Sequence, residues 1–213
     1  MAEALKADLD AAIDIIVKRL DSIDKLYPAQ YELLQCLMGN ENIFYTNSTN
    51  SGKTLPIVIY PDILKCLNRF GYNFPKEPKV LFVTALNSLK QSLVNNVKSL
   101  GLRAEAVTSE NIEALLKSDT SVLFISPEVL KLSAVTRVLV QNRTSFVLKC
   151  VDEAHLGNVT LTLMTLNFKT GNRIIQIGNG IIQTGYGTIS PKFQASDPQT
   201  SACHFTKELK IDS

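Results

Sequence analysis

Short, mostly apolar runs alternate with amphipathic segments along residues 42–153. Most of these runs have the length and the β-branched or aromatic content of buried strands. They are "NIFYT" (42–46), "KVLFVTAL" (79–86), "RAEAVT" (103–108), "SVLFISP" (121–127) and "SFVLKCVDE" (145–153). Strands that are joined by crossover helices form a parallel sheet covered on both faces. The alternation therefore predicts an α/β fold with helices on both faces of a parallel sheet.

The segments before and between the strands carry apolar residues at helical spacing. We predict helices over 4–26, 29–39, 54–70, 88–101, 111–117 and 128–142. Gly39 and Gly101 suit the ends of two helices, and Pro61 predicts a disturbance within a third. The first helix, in residues 1–26, is expected to pack on the core of the domain that follows.

The bulk composition limits the class of protein. A net charge of +2 does not require nucleic acid as a partner, although it leaves room for a local basic groove. The four cysteines are far apart and have no histidine cluster beside them, so neither a zinc site nor a disulfide framework is expected. No apolar run reaches membrane-spanning length, and the N-terminus lacks the apolar core of a signal peptide. We expect a soluble intracellular protein with no membrane partner.

The composition changes at residue 156. Residues 156–213 hold six of the ten glycines but only eight of the 42 charged residues, so the alternation is expected to stop there. "RIIQIGNGIIQTG" (173–185) predicts a β-hairpin around Asn179–Gly180, and the last part is typical of loop or disorder. We therefore divide the chain into an N-terminal helix (1–26), an α/β lobe (27–155) and an irregular C-terminal tail (156–213).

The stretch "YTNSTNSGKT" (45–54) has the character of a phosphate-binding loop. In such a loop, backbone N–H groups converge on phosphate oxygens, and the following helix contributes its positive N-terminal end. The stretch matches the last three positions of the pattern G-x-x-x-x-G-K-[ST], whereas Asn47 stands at its first glycine. Because it lies between a predicted strand and a predicted helix, we expect nucleotide binding by Thr49, Asn50, Ser51, Gly52, Lys53 and Thr54.

Two acidic residues lie at the end of the last predicted strand. Asp152 and Glu153 stand at its carboxyl end, where open α/β sheets bind their ligands. We expect Asp152 to hold Mg²⁺, directly or through water, and Glu153 to polarise the attacking water. An isolated acidic pair would more often start a loop or cap a helix, and the preceding phosphate loop is what favours the catalytic interpretation.

Five elements in this order resemble the superfamily 2 helicases of DEAD/DEAH type, and within them the RecQ-like DNA helicases. They are "YPAQ" (27–30), the loop ending in "SGKT", "VTALNSLKQSLV" (83–94), "ISPEVL" (125–130) and "DEAH" (152–155). Together they cover residues 20–155. The resemblance implies the first of the two RecA-like, P-loop NTPase lobes of an ATP-driven nucleic-acid motor.

The resemblance also implies roles in the nucleotide site. Gln30 would contact adenine, and Lys53 would contact the β- and γ-phosphates of ATP and take part in catalysis. Thr54 and Asp152 would hold Mg²⁺, while Glu153 would act as the catalytic base.

Further implied roles concern the nucleic acid and a second lobe. His155 would couple the nucleotide site to that lobe. The nucleic-acid track would contain Thr84, Leu86, Ser88, Lys90, Ser126, Pro127 and Glu128. The implied partners are DNA more than RNA, and other helicase subunits; the implied location in a eukaryote is the nucleus.

The chain departs from the family pattern in the loop and after His155. Asn47 and Asn50 replace small residues of the loop, which predicts weaker phosphate binding. After His155 the chain reads "LGNVTLTLMTLNF" (156–168) instead of the family's aromatic-rich loop, and no second lobe with its arginine follows. Such an arginine can contribute about 10³–10⁵ to the rate. We therefore expect a lobe truncated after "DEAH", with at most weak ATPase activity and no unwinding on its own.

The residues leave three functions open. The first is the ATP-binding, nucleic-acid-binding lobe of a RecQ-like helicase. The second is a non-catalytic truncated helicase fragment that acts as a binding module, which Asn47 and Asn50 favour. The third, a small-molecule P-loop kinase, is the least favoured because the charge-poor tail offers no arginine-rich lid. ATP hydrolysis that nucleic acid stimulates would separate the first from the second.

Overall fold

The structure is a computed structural model of the chain. It describes residues 3–20, 23–39, 43–46, 52–84, 87–152, 173–178, 182–184, 187–189 and 204–205. Within these residues the helices are α1 (Glu3–Val17), α2 (Pro28–Met38), α3 (Thr54–Arg69), α4 (Asn87–Ser99), α5 (Ile112–Lys117), α6 (Pro127–Leu130) and α7 (Ser133–Gln141). The strands are β1 (Ile43–Thr46), β2 (Lys79–Val83), β3 (Ala104–Ala106), β4 (Val122–Ile125), β5 (Phe146–Val151), β6 (Arg173–Gly178), β7 (Ile182–Thr184), β8 (Gly187–Ile189) and β9 (His204–Phe205).

The main sheet is parallel apart from one edge strand. Its order is β3-β4-β2-β5-β6-β1-β9, and each neighbouring pair from β3 to β1 is parallel. Strand β9 pairs with β1 in the antiparallel sense, and β7 and β8 form a separate antiparallel pair. The α/β class and the parallel sheet predicted from the sequence are confirmed.

Helices pack on both faces of this sheet. On one face, Val80 and Phe82 of β2 belong to a buried cluster that also takes in residues of α1 to α4. On the other face, Leu81 and Val83 belong to a cluster shared with α5, α6 and α7. Every residue of β2 and β4 is buried. Burial on both faces explains why these strands read as continuous apolar runs instead of alternating ones.

Helix α1 packs against α3 and ends earlier than predicted. The N–H groups of Arg19 and Leu20 donate to the carbonyls of Ile16 and Val17, three residues back, at 2.9 and 3.0 Å. These bonds tighten the last turn, as is common where a helix ends. Residues 23–26 are not helical, so the prediction of one helix over 4–26 is wrong for its last part.

Helix α3 runs without interruption through Pro61, where a disturbance was expected. Proline removes one N–H donor from the helix. Ten of the sixteen residues of α3 are buried, including Ile57, Ile63 and Leu67 at 0 % exposure. Tertiary packing of this extent outweighs the loss of one backbone hydrogen bond.

Strand β6 corrects the expectation for residues after 155. It lies between β5 and β1 as a parallel strand, with Val151 opposite Gln176 and Thr46 opposite Gly178. The β-hairpin predicted over 173–185 is therefore wrong, since its first strand pairs with distant strands and β7 pairs with β8 instead. The parallel sheet also continues beyond residue 155, where it was expected to stop. A parallel partner far away in sequence leaves no local signal, which is why pattern alone missed it.

Strand β5 carries a lysine in the interior of the fold. Lys149 is 1 % exposed, and burial lowers the pKa of its ammonium to about 8. Lys79 on β2 is buried as well, and its ammonium donates to the carbonyls of Ser118 and Thr120, both at 2.8 Å. Burial lowers the pKa of Lys79 too. In the pH range between the folded and unfolded pKa values, the unfolded chain binds more protons, so these lysines make stability rise with pH.

Replacing Lys149 by methionine is expected to flatten this pH dependence. From pH 7.5 to 9.5, the free energy of unfolding of the wild type should gain about 1 kcal/mol relative to the variant, after allowance for solvent screening. Burial raises the pKa of the Cys150 thiol and so works in the opposite sense, but it cancels in the comparison. Urea unfolding at several pH values measures the difference, with Lys131→Met at an exposed position as control. If the free energy of unfolding rose with pH equally in the wild type and in Lys149→Met, the lowered pKa of Lys149 would be contradicted.

Candidate nucleotide-binding site

The carboxyl edge of the parallel sheet brings together several of the predicted residues. Thr84 follows β2, Ser126 follows β4, and Asp152 follows β5. The N–H of Asp152 donates to the Val83 carbonyl at 2.9 Å, and the N–H of Thr84 donates to the Ile125 carbonyl at 3.0 Å. These bonds extend the pairing of the strands by one residue. Three predicted residues from distant parts of the chain thus form a row at one edge.

The end of the phosphate-loop stretch lies at the same edge. Strand β1 ends at Thr46, and only β6 separates it from β5. Helix α3 begins at Thr54, directly after Gly52 and Lys53. A helix of this length presents unbonded N–H groups and a positive dipole end at its first turn. The C-terminal part of the predicted loop and Asp152 therefore sit beyond the ends of two strands that are one strand apart.

Gly52 has a backbone conformation that suits glycine. Its φ is +69°, in the left-handed region that other residues seldom enter. Its carbonyl accepts a hydrogen bond from the Leu55 N–H at 3.1 Å, in the first turn of α3. Asn47, Thr49, Asn50 and Ser51 lie outside the described residues, so their predicted roles stay predictions.

Gln30 reaches this part of the loop from helix α2. Its side chain is 2 % exposed, and its Nε2 donates to the Gly52 carbonyl at 3.0 Å. Its Oε1 accepts from the Tyr27 N–H at 2.9 Å, which satisfies a donor at the start of α2. The structure thus places Gln30 beside Gly52, at the end of the predicted loop. The adenine contact itself stays a prediction.

The donor atoms at the edge fit magnesium better than softer metals. Thr54 offers a hydroxyl and Asp152 a carboxylate, both on half-buried residues, and Mg²⁺ prefers oxygen ligands, waters and substrate phosphates. Within the described residues, no group of three or more His, Cys, Asp or Glu side chains could hold a metal ion. A protein contribution of one or two oxygens is what a nucleotide-bound Mg²⁺ requires. Glu153 and His155 lie outside the described residues.

The predicted nucleic-acid residues divide into buried and accessible ones. Thr84 is 3 % and Ser126 1 % exposed, and Pro127 is buried as well. The Ser126 hydroxyl has no hydrogen-bond partner of standard geometry among the described residues. Glu128 is exposed in the first turn of α6, and Lys90 of α4 is half-buried.

Lys90 and Glu128 lie near enough to interact electrostatically. The pKa of Glu128 is lowered first by its own backbone N–H and by the Ser126 hydroxyl, and further by the positive charges of Lys131 and Lys90. The two accessible residues of the predicted track therefore share one surface region. Leu86 and the side chain of Ser88 lie outside the described part, and nucleic-acid contact stays a prediction for the whole set.

The sequence did not predict the hydrogen bond from Gln30 Nε2 to the Gly52 carbonyl. The spacing of Tyr27 and Gln30 at the start of a predicted helix could have indicated the local bond, because a glutamine at the third helical position often reaches back to the cap. The Gly52 contact spans 22 residues of sequence. It depends on how α2 packs beside α3, which no local pattern encodes.

No protein-family model matches the chain, and no curated protein matches it. Within the described residues, no helix has both the length and the apolar character needed to cross a lipid bilayer.

Proposed function

We propose that the chain is the ATP-binding and nucleic-acid-binding RecA-like lobe of a RecQ-like, ATP-dependent DNA helicase. The observation that carries the proposal is the placement of two distant motifs. Gly52 and Lys53 lead into helix α3, which begins at Thr54, and Asp152 directly follows strand β5 of the parallel sheet. The carboxyl edge of such a sheet is where ligands bind in open α/β folds.

Each residue at the edge has a role in this proposal. The N–H groups at the start of α3 and the Lys53 ammonium bind the phosphate oxygens of ATP, which is the chemistry of anion sites at helix N-termini. The hydroxyl of Thr54 and the carboxylate of Asp152 hold Mg²⁺. Glu153 orients the water that attacks the γ-phosphate, and ADP with phosphate leaves. His155 links the site to a second lobe.

Nucleic acid is bound along α4 and the start of α6 in this proposal. Lys90 supplies a cation for the phosphate backbone, and Glu128 lies within its electrostatic reach. DNA is the proposed strand over RNA, helicase subunits are the proposed protein partners, and the nucleus is the proposed location in a eukaryotic cell.

The second candidate is a binding module without turnover, a helicase fragment that holds nucleotide or nucleic acid. Asn47 and Asn50 favour it, because the loop of the family has small residues at these two positions. Both candidates bind Mg-ATP, so binding alone does not separate them. ATP hydrolysis measured with and without single-stranded DNA does, since only the motor lobe accelerates hydrolysis when the strand is present.

Replacing Asp152 by asparagine is expected to remove the effect of magnesium on ATP binding. The wild type should bind ATP about tenfold more tightly with Mg²⁺ than with EDTA, and the variant should bind equally in both because a neutral amide holds the ion poorly. Titration calorimetry measures both affinities. Asp119→Asn is the matched control, since Asp119 precedes β4 at the opposite edge and forms an exposed ion pair with Arg103. A full magnesium effect in Asp152→Asn would contradict its assignment as a metal ligand.

A further inference from the structure

The side chain of Gln30 joins the start of α2 to the end of the phosphate loop. Its carbonyl oxygen accepts from the Tyr27 N–H at 2.9 Å, and its amide nitrogen donates to the Gly52 carbonyl at 3.0 Å. The side chain is 2 % exposed. Each end of the amide thus has a backbone partner inside the protein, and water has little access to either.

The Gly52 side of this contact depends on the absence of a side chain. A Cβ atom at position 52 would lie 2.5 Å from Gln30 Nε2, closer than real Cβ contacts. The φ of +69° disfavours other residues independently. The glycine therefore allows the backbone to approach the Gln30 amide as well as to make the turn.

The contact also orients the next peptide group. In a planar trans peptide, the carbonyl of one residue and the N–H of the next point in opposite directions. The Gly52 carbonyl is held by Gln30 Nε2 at 3.0 Å and by the Leu55 N–H at 3.1 Å. The N–H of Lys53 consequently points away from both donors, and Gln30 takes part in setting that direction.

We propose that Gln30 is a positioning residue of the phosphate loop: by holding the Gly52 carbonyl it orients the Lys53 N–H towards the triphosphate chain, and so it acts on the phosphates of the nucleotide and not on its base. The inference rests on the proposed nucleotide-binding function and deepens it. It replaces the expectation that Gln30 contacts adenine, because base recognition would first have to break both backbone contacts of the amide.

Two variants remove the hydrogen bond from the Gln30 side chain to the Gly52 carbonyl without removing the acceptor for the Tyr27 N–H. Gln30→Glu keeps an acceptor for the Tyr27 N–H but, when ionised, cannot donate to Gly52. Gly52→Ala leaves Gln30 and the start of α2 intact while forcing the amide away. Gln35→Ala is the matched control, since Gln35 lies on the same helix and donates to the Tyr31 hydroxyl at 2.9 Å.

The experiment measures the affinities of Mg-ATP, Mg-GTP and inorganic tripolyphosphate by calorimetry, at a temperature where circular dichroism shows each variant folded. We expect the wild type to bind all three ligands through their phosphates. Gln30→Glu and Gly52→Ala should weaken all three ligands by the same factor, about three- to tenfold for one lost hydrogen bond, and Gln35→Ala should change none.

A pH series distinguishes positioning from general loss of structure. When its new carboxyl group is protonated, Gln30→Glu regains an O–H donor for the Gly52 carbonyl. The loss of ligand affinity in Gln30→Glu, relative to the wild type at the same pH, should therefore become smaller as the pH falls from 8 to 5.5. The loss of affinity in Gly52→Ala should not change. A purely structural defect would give no such rescue.

Other outcomes would overturn the inference in distinguishable ways. A loss in Gln30→Glu that is confined to ATP would make Gln30 a base-reading residue, and unchanged binding of all three ligands would make the contact irrelevant to phosphate. Either result leaves the proposed function standing. If the wild type binds none of the three ligands, the inference and the proposed function both fail.

Discussion

Lys53→Ala is expected to abolish the stabilisation of the protein by Mg-ATP. With ATP at about 100 times its dissociation constant, binding stabilises the wild type by about 2.7 kcal/mol. For a domain of this size, that is a rise in the unfolding midpoint of about 5–10 °C. In the proposed site, removing the ammonium takes away the cation that faces the β- and γ-phosphates, whose charge the N–H groups of α3 alone do not balance.

Thermal unfolding with and without Mg-ATP measures this effect. Each variant is compared with its own ligand-free midpoint, so a change in intrinsic stability does not enter. Lys117→Ala is the control, because Lys117 is an exposed lysine in the last turn of α5. It should retain the full rise. A Lys53→Ala protein that binds ATP as tightly as the wild type would overturn the assignment of "SGKT" as a phosphate loop.

Phe82→Ala is expected to cost about 3–5 kcal/mol of unfolding free energy, the range for removing a buried phenylalanine side chain. Phe82 is 0 % exposed one residue before the end of β2, and its ring lies 5.1 Å from that of Phe124, centroid to centroid. The backbone around it is held by β4 on one side and β5 on the other, so the cavity has little room to collapse. Val83, whose carbonyl accepts from the Asp152 N–H, ends the same strand, and Thr84 follows it. We therefore expect the loss of packing at Phe82 to reach the candidate site.

Urea unfolding with a common slope tests this value. Phe70→Ala is the matched control, since Phe70 is 41 % exposed at the end of α3 and loses the same atoms. Its cost should be below about 1 kcal/mol. A cost for Phe82→Ala no larger than that of Phe70→Ala would contradict the central place of β2 in the buried sheet.

The regular elements were largely predictable because burial determines their pattern. Strand β4 is buried at each position and appears in the sequence as "VLFI", and α2 ends at Gly39 as expected, with the Gly39 N–H bonded to the Cys36 carbonyl at 3.0 Å. The C-terminal end of α1 and the course of α3 through Pro61 were not predicted correctly. Helix α3 continues through Pro61 because its burial outweighs the loss of one backbone hydrogen bond.

The residues of the candidate site could be proposed from the sequence, but their contacts could not. Lys53, Thr54 and Asp152 were proposed because anion and magnesium chemistry uses these residue types in loops that follow a strand. That Thr84 and Ser126 would be buried at the same edge could not, since "VTALNSLK" and "ISPE" carry no signal of exposure. The structure gives those exposures as 3 % and 1 %.

The sequence by itself determined that this chain forms an α/β fold with a glycine, lysine and threonine before one helix and an acidic residue after one strand. Local rules suffice there, because strand and helix periodicity and loop chemistry act within a few residues. Only the tertiary structure decided that β6 enters the sheet between β5 and β1, and that Gln30 holds the Gly52 carbonyl. Both are contacts between segments far apart in sequence, and their free energy depends on the packing of all the elements between them.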